Sequence, residues 1–247
     1  MSIEPLKVDL HIHTKEDPLD RISYSAYKLI DQAFTKGYDA LAITNHQRIT
    51  YNTRLKSYAA ERGIVLIPGV EAIIEGKHFL LINMPYENGC LDSVKKVLKQ
   101  KAANNLVIAP HPYFPGLNSL GGRLEAVPHL FDAIEYCHLY NRKMNFNKKA
   151  VRFAHKHRIP IVGNSDAHLM EQFGLAYSLV EAEKETDAII RSIKAGRVEA
   201  VSGPLPMIKL AWILMRVLIA ERQTWERPVK LMWMVGAFMR SFLNKVR

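Results

Sequence analysis

Through most of this 247-residue chain, short apolar, β-branched runs alternate with longer segments whose apolar positions recur at helical spacing. Leu6 to Leu10 predicts a strand, Ala26 to Lys36 an amphipathic helix that stops at Gly37, and Asp39 to Thr44 a second strand. The same rhythm predicts a helix from Tyr51 to Arg62. Strands follow at Ile64 to Pro68 and His78 to Asn83, joined through the turn residues Glu75-Gly76-Lys77, and then a helix from Leu91 to Ala103. Further strands are expected at Leu106 to Ala109, Asp132 to Tyr136 and Ile159 to Gly163, with helices at Asn145 to His157 and Glu183 to Ala195, the last closed by Gly196. About seven strands interleaved with helices predict a parallel, barrel-like α/β fold, because parallel neighbours need crossover connections and helices supply them.

After Gly203-Pro204-Leu205-Pro206 the pattern changes. Residues 204–247 hold all three tryptophans and five of the nine methionines. On a helix, Lys209, Arg216 and Gln223 fall on one narrow face and leave a wide apolar surface that includes Ile208, Leu210, Trp212 and Met215. Beyond Pro228, Lys230, Arg240, Asn244 and Arg247 repeat the design. The chain therefore divides into a body, residues 1–203, and a basic amphipathic helical tail, residues 204–247. Such a tail suits a hairpin packed on the body, a homo-oligomer contact, or a membrane-surface anchor.

Charge sharpens this division. The net charge is +10, but the tail carries eight basic residues against two acidic ones, a net of +6, which leaves +4 for the body. A body so mildly basic does not favour a polynucleotide partner. Two cysteines, Cys90 and Cys137, form no framework and no CxxC motif, which fits a reducing compartment. The start, MSIEPLKVDLHIH, has neither a basic n-region nor an apolar h-region, and the longest uncharged apolar run, Leu231 to Met239, is short of the roughly 20 residues a membrane span needs. The expected location is cytoplasmic, with a peripheral membrane position open to the tail.

The chemistry lies in the histidines. Of ten, six (His11, His13, His46, His78, His111, His168) sit at or just beyond a predicted strand end, where a barrel brings distant residues together. Acids accompany them: Asp17, Asp20, Glu71 and Asp166. His11 and His13, two apart on a strand, point the same way. Imidazole with carboxylate, and no thiolate cage, is the ligand set of Zn²⁺, Mn²⁺ or Fe²⁺. His138 and the loop residues Arg48, Arg123 and Arg142 are candidates to hold a phosphate or protonate a leaving group. His155 and His157, in a segment with Lys148, Lys149 and Arg152, read as a solvated basic face, His129 as surface, and Gly121-Gly122 as a turn.

The set DLHIHT, ITNH, PGVE, APHP and NSDAH, spanning Val8 to His168, resembles the polymerase-and-histidinol-phosphatase (PHP) family. The resemblance implies a distorted seven-stranded β/α barrel of TIM-like form and a metal-dependent phosphoesterase using two to three divalent ions. It implies that His11 and His13 bind one metal and that Glu71 bridges two. His46 would bind a second ion, His78 and His111 a third, and Asp166 and His168 would close the cluster. Glu71, His46 and Asp166 are the candidate catalytic residues. Two departures stand out: Asp17 and Asp20 follow His13 by four and seven residues, neither at the family's usual spacing, and Asn45 and Gln47 replace acids around His46. Asp17 is the favoured ligand, with Asp20 open to a capping or substrate role. The expected substrate is a small phosphomonoester, short phosphodiester or nucleotide; a nuclease on longer nucleic acid and a non-catalytic metal-binding regulator or scaffold are the alternatives.

Overall fold

The computed structural model describes residues 4–87, 89–115 and 118–220. Nine strands form one sheet: β1 (Leu6–Ile12), β2 (Ala40–Ile43), β3 (Val65–Ile74), β4 (Lys77–Ile82), β5 (Leu106–Ala109), β6 (Ala133–Cys137), β7 (Ile161–Asn164), β8 (Ala176–Val180) and β9 (Val198–Ser202). Their order is β7-β6-β5-β4-β3-β2-β1-β8-β9. The expected helices appear as α1 (Ala26–Thr35), α2 (Thr53–Ala60), α3 (Val94–Gln100), α5 (Asn147–His157) and α6 (Thr186–Lys194). A short α4 (Arg123–Ala126) and α7 (Met207–Ala220) complete the set. Ser25 caps α1 by accepting from the Lys28 amide, and Asn52 caps α2 by accepting from the Leu55 amide.

The described architecture keeps the barrel-like α/β fold and corrects the expected parallel sheet of about seven strands. β1–β2–β3 and β5–β6–β7 are parallel, but β4 runs antiparallel to both neighbours, β8 antiparallel to β1, and β9 antiparallel to β8. The seven expected strands are present, and β8 and β9 are additions. Ala176–Val180 is apolar except at Ser178 but stands without a helix before it, and Val198–Ser202, interrupted by Glu199, is an edge that is only half-buried.

The sheet curls until its ends nearly meet. Val8, Ala40, Ile67, Leu80, Ile108, Ala133, Val162 and Val180, from eight different strands, share one buried cluster, which only the inside of a closing sheet allows. Ile189, Ile190 and Ile193 of α6 join it, each worth roughly 1.5–3 kcal/mol on burial. Where β7 comes against β8, the Ser178 hydroxyl accepts from the Gly163 amide at 3.0 Å and donates to the Gly163 carbonyl at 2.9 Å. Across the same gap, a Cβ on Gly163 would stand 2.5 Å from the Tyr177 carbonyl oxygen. Close approach of two backbones is what a glycine inside a strand commonly marks.

Helix α7 packs on the body. Leu210 and Ile213 are buried with Leu205, Cys137, Leu139 and Met144, so the helix lies on the loop that follows β6. Its opposite face holds Ile208, Trp212, Met215 and Ile219 in solvent. The second amphipathic stretch, with Lys230, Arg240, Asn244 and Arg247, and the position of Gln223 lie outside the described residues. No described helix is long and apolar enough to cross a membrane.

Candidate metal centre

The parallel strands deliver their C-terminal ends to one mouth of the barrel. His11 lies near the end of β1 and His13 just after it; His46 follows β2, His111 follows β5, and Asp166 and His168 follow β7. His78 stands at the start of β4 rather than its end, and the antiparallel direction of β4 carries it to the same mouth, opposite Ile73 of β3. Isolated bridges between Ile12 and Ala167 and between His46 and Glu71 tie these strand ends together. All ten residues singled out from the sequence converge here.

Glu71 stands at the centre. Its Oε2 lies 3.5 Å from His11 Nε2, 3.3 Å from His13 Nε2 and 3.0 Å from His46 Nε2, while its Oε1 lies 2.7 Å from His78 Nδ1 and 3.3 Å from His111 Nε2. Asp166 Oδ1 faces His11 Nε2 at 3.3 Å, His13 Nε2 at 3.5 Å and His168 Nδ1 at 3.5 Å. His168 Nε2 meets Asp20 Oδ2 at 3.1 Å. The Nε2 atoms of His11 and His13 approach to 3.2 Å, so two ring nitrogens compete for one proton or one cation. Sets such as His11–His13–Glu71, His13–Asp17–His46 and His46–Glu71–His78 each place their donor atoms within 4.8 Å of one another.

The two acids of the first loop differ. Asp17 Oδ2 accepts from the His46 amide at 2.7 Å and faces His13 Nδ1 at 2.9 Å and His46 Nδ1 at 3.0 Å, while its Oδ1 accepts from the amides of Leu19 and Asp20. Asp20 keeps fewer partners, with Oδ2 toward His168 and, at 3.4 Å, His46 Nδ1. The departures at Asn45 and Gln47 turn away from the cluster. Asn45 accepts from the Thr14 amide and donates to the hydroxyls of Thr14 and Thr50, and Gln47 accepts from the Ile73 amide and the Tyr86 hydroxyl.

Burial and charge oppose each other throughout this site. Burial alone would strip the proton from His11, yet Asp166, Glu135 and Glu71 together hold its pKa well above the ordinary value, and His46, likewise buried but beside Glu71 and Asp17, is pushed up to about 10. Burial would neutralise Glu71, but His78, His46 and His11 hold its carboxyl well below the usual range. Packed imidazoles and carboxylates that each demand a counter-charge are what a divalent cation satisfies. The donors are nitrogen and oxygen only, which suits Zn²⁺, Mn²⁺ or Fe²⁺.

His138, just after β6, is fully buried beside the cluster. Gln172 Oε1 accepts from the amides of His168 and Leu169, which turns its amide nitrogen, Nε2, toward His138 Nε2 at 3.1 Å. The ring proton therefore belongs on Nδ1, which has no hydrogen-bond partner among the described residues, and burial lowers the pKa of His138 to about 4. His138 can offer a hydrogen bond at neutral pH but not the charge of an imidazolium. Arg48 donates to the Glu16 carbonyl and Arg123 to the Glu75 carbonyl, whereas Arg142 stands exposed on the His138 loop. His129 and His155 are exposed and His157 packs on Phe153, all apart from the cluster.

Two buried acids escaped the sequence reading. Asp9 accepts from the amides of His11 and Ser165. Glu135 faces His11 Nδ1 at 2.9 Å, and accepts from Asn164 Nδ2 at 2.9 Å and the His111 amide at 2.7 Å. The available signal was an acid inside an apolar strand, Val-Asp-Leu and Ile-Glu-Tyr.

Residues 145–198 match the family model described as PHP-associated. An uncharacterised protein of Methanocaldococcus jannaschii is 30% identical over 147 residues, covering 56% of this chain and 84% of the relative. Among solved structures, PsfC from Pseudomonas syringae superposes with a TM-score of 0.59 at 17% identity over 90% of this chain and all of PsfC. A Bifidobacterium adolescentis protein, assigned as a metal-dependent phosphoesterase, gives 0.50 at 16% identity over 66% of this chain and 87% of its own. The lesion-specific endonuclease of Pyrococcus furiosus gives 0.54 at 16% identity over 79% of this chain and 57% of that enzyme. With these matches beside the histidine and carboxylate cluster, the chain belongs to the PHP family.

Proposed function

We propose that this protein is a metal-dependent hydrolase of small phosphate esters, a phosphomonoester or a short phosphodiester such as a nucleotide. The observation that carries the reading is the placement of Glu71, one carboxylate oxygen toward His11, His13 and His46 and the other toward His78 and His111. In this reading His11, His13, Glu71 and Asp166 hold one divalent ion, His46 and His168 with Asp17 or Asp20 a second, and His78, His111 and Glu71 a third. Ions so held supply Lewis acidity and lower the pKa of water to about 7. The chain's own residues orient and neutralise: Asp17 fixes the rings of His13 and His46, and the exposed Arg142 draws the anion to the mouth.

The test is a metal titration followed by a substrate screen. Elemental analysis after incubation with Mn²⁺ or Zn²⁺ and dialysis is expected to find two to three ions per chain. Chelation is expected to abolish hydrolysis of p-nitrophenyl phosphate or nucleotides, and Mn²⁺ to restore it. A chain that stays metal-free sinks the reading. The fold shared with the endonuclease supports a second reading, so the screen includes oligonucleotides. Cleavage of these without turnover of small esters would move the assignment to a nuclease, and metal loading without any hydrolysis would move it to a regulatory metal-binding protein.

For the tail, the solvent-facing stripe of α7 supports a membrane-surface partner. Ile208 is 86% exposed, Trp212, Met215 and Ile219 continue the stripe, and the +6 net charge of residues 204–247 complements anionic lipid. Each basic residue near such a surface contributes on the order of 1 kcal/mol. The full chain is expected to float with phosphatidylglycerol vesicles, less so as salt rises, and less again in Trp212→Ser. Equal flotation of the variant, or a stable dimer that ignores the vesicles, would assign the stripe elsewhere.

A further inference from the structure

The geometry points to Glu135 as a positioning residue that sets how His11 and His111 present themselves to the metals, an inference that rests on the metal-centre reading above. Glu135 is fully buried in β6, and each of its oxygens is committed. Oε1 faces His11 Nδ1 and accepts from Asn164 Nδ2, both at 2.9 Å, and Oε2 accepts from the backbone amide of His111 at 2.7 Å. Asn164 in turn accepts from the Leu10 amide at 2.9 Å. One carboxylate on β6 therefore joins the ends of β1, β5 and β7, the three strands whose ends and following loops carry His11, His111, Asp166 and His168.

Two consequences follow from the direction of these bonds. An imidazole that donates from Nδ1 must present its lone pair at Nε2, and Nε2 is the atom of His11 that lies 3.5 Å from Glu71 and 3.3 Å from Asp166. The second concerns His111, whose φ of 28° lies in the left-handed region that a β-carbon disfavours. Such a conformation persists only where its surroundings over-determine it, and the bond from the His111 amide to Glu135 is one such constraint. A glutamine here keeps the volume but replaces one acceptor oxygen with a donor NH₂. Either the His11 ring or the His111 amide then faces a donor.

The experiment compares Zn²⁺ binding by the intact chain and by Glu135→Gln, using competition with a chromophoric chelator, with the thermal transition of each metal-free protein as the check on folding. The expected result is a Zn²⁺ affinity 10- to 100-fold weaker in a variant that still unfolds cooperatively. Unchanged affinity in the folded variant overturns the inference and leaves the metal reading standing, whereas a native chain that binds no Zn²⁺ overturns both. A second measurement needs no variant. Long-range proton–nitrogen NMR of the Zn²⁺-loaded native protein should show His11 protonated at Nδ1 and coordinated at Nε2. Coordination through Nδ1, or a doubly protonated ring, overturns the assignment of Glu135 even if Glu135→Gln does not fold.

Discussion

Glu71→Gln is expected to lower phosphoester turnover by about a thousandfold while leaving the protein folded. The reason is the number of nitrogens that share this one carboxylate: five imidazoles lie within 3.5 Å of its two oxygens. An amide keeps the shape, but it loses the charge and can offer only one oxygen to ions on either side. Loss of several kcal/mol of transition-state stabilisation, on the order of 4, corresponds to three factors of ten in rate. Metal content should fall in the same variant, because a bridging carboxylate also lowers the repulsion between neighbouring cations. Elemental analysis and steady-state kinetics on the same preparation check both effects, and native turnover with native metal content would show that Glu71 is not the bridge. Circular dichroism separates this outcome from unfolding.

The second large effect concerns the barrel rather than the chemistry. Gly163→Ala is expected to destabilise the fold by about 3 kcal/mol, the upper end for inserting a methyl group into a packed interior, because the obstacle is the Tyr177 backbone rather than a flexible side chain. For a chain of this size that is a drop in Tm of roughly 6–12 °C. The added methyl also forces β7 away from Ser178, whose hydroxyl bonds both polar groups of Gly163. Gly122→Ala is the matched control. Among the described residues, no atom beyond its chain neighbours lies within 4 Å of its would-be Cβ, and its φ of −66° is open to alanine. That substitution is expected to be neutral or to stabilise by a few tenths of a kcal/mol through the unfolded chain. Equal melting temperatures for the two variants would show that β7 and β8 are not held against each other as described.

Seven of the ten candidate ligands were legible because their signal is local: His-x-His, Asn-His, Val-Glu, His-Pro and Ser-Asp-Ala-His each occur beside an apolar run whose strand character reads from a few residues. The supporting residues were not. Asp9 and Glu135 are single acids in apolar strands, and nothing near Glu135 in sequence says that its partners are His11, 124 positions away, and the His111 backbone. Asn45 and Gln47 read as lost acids near His46, and only their bonds to Thr14, Thr50 and Ile73 show them to be braces between loops.

The amino-acid order by itself determined where seven of the body's strands and five of its helices lie, that imidazole and carboxylate stand at strand ends, and that the chain after Gly203 is apolar and basic. These follow from side-chain periodicity and residue chemistry, which act over a few positions. Tertiary structure decided the rest. It reversed β4, so that His78 enters the cluster from the start of a strand; it added β8 and β9; and it buried Leu210 and Ile213 of α7 while leaving Ile208 and Trp212 in solvent. Strand direction and the choice of buried face depend on which distant segment supplies the partner. An amphipathic helix with apolar residues on two sides fits a core with either, and only contact with the loop after β6 selects one.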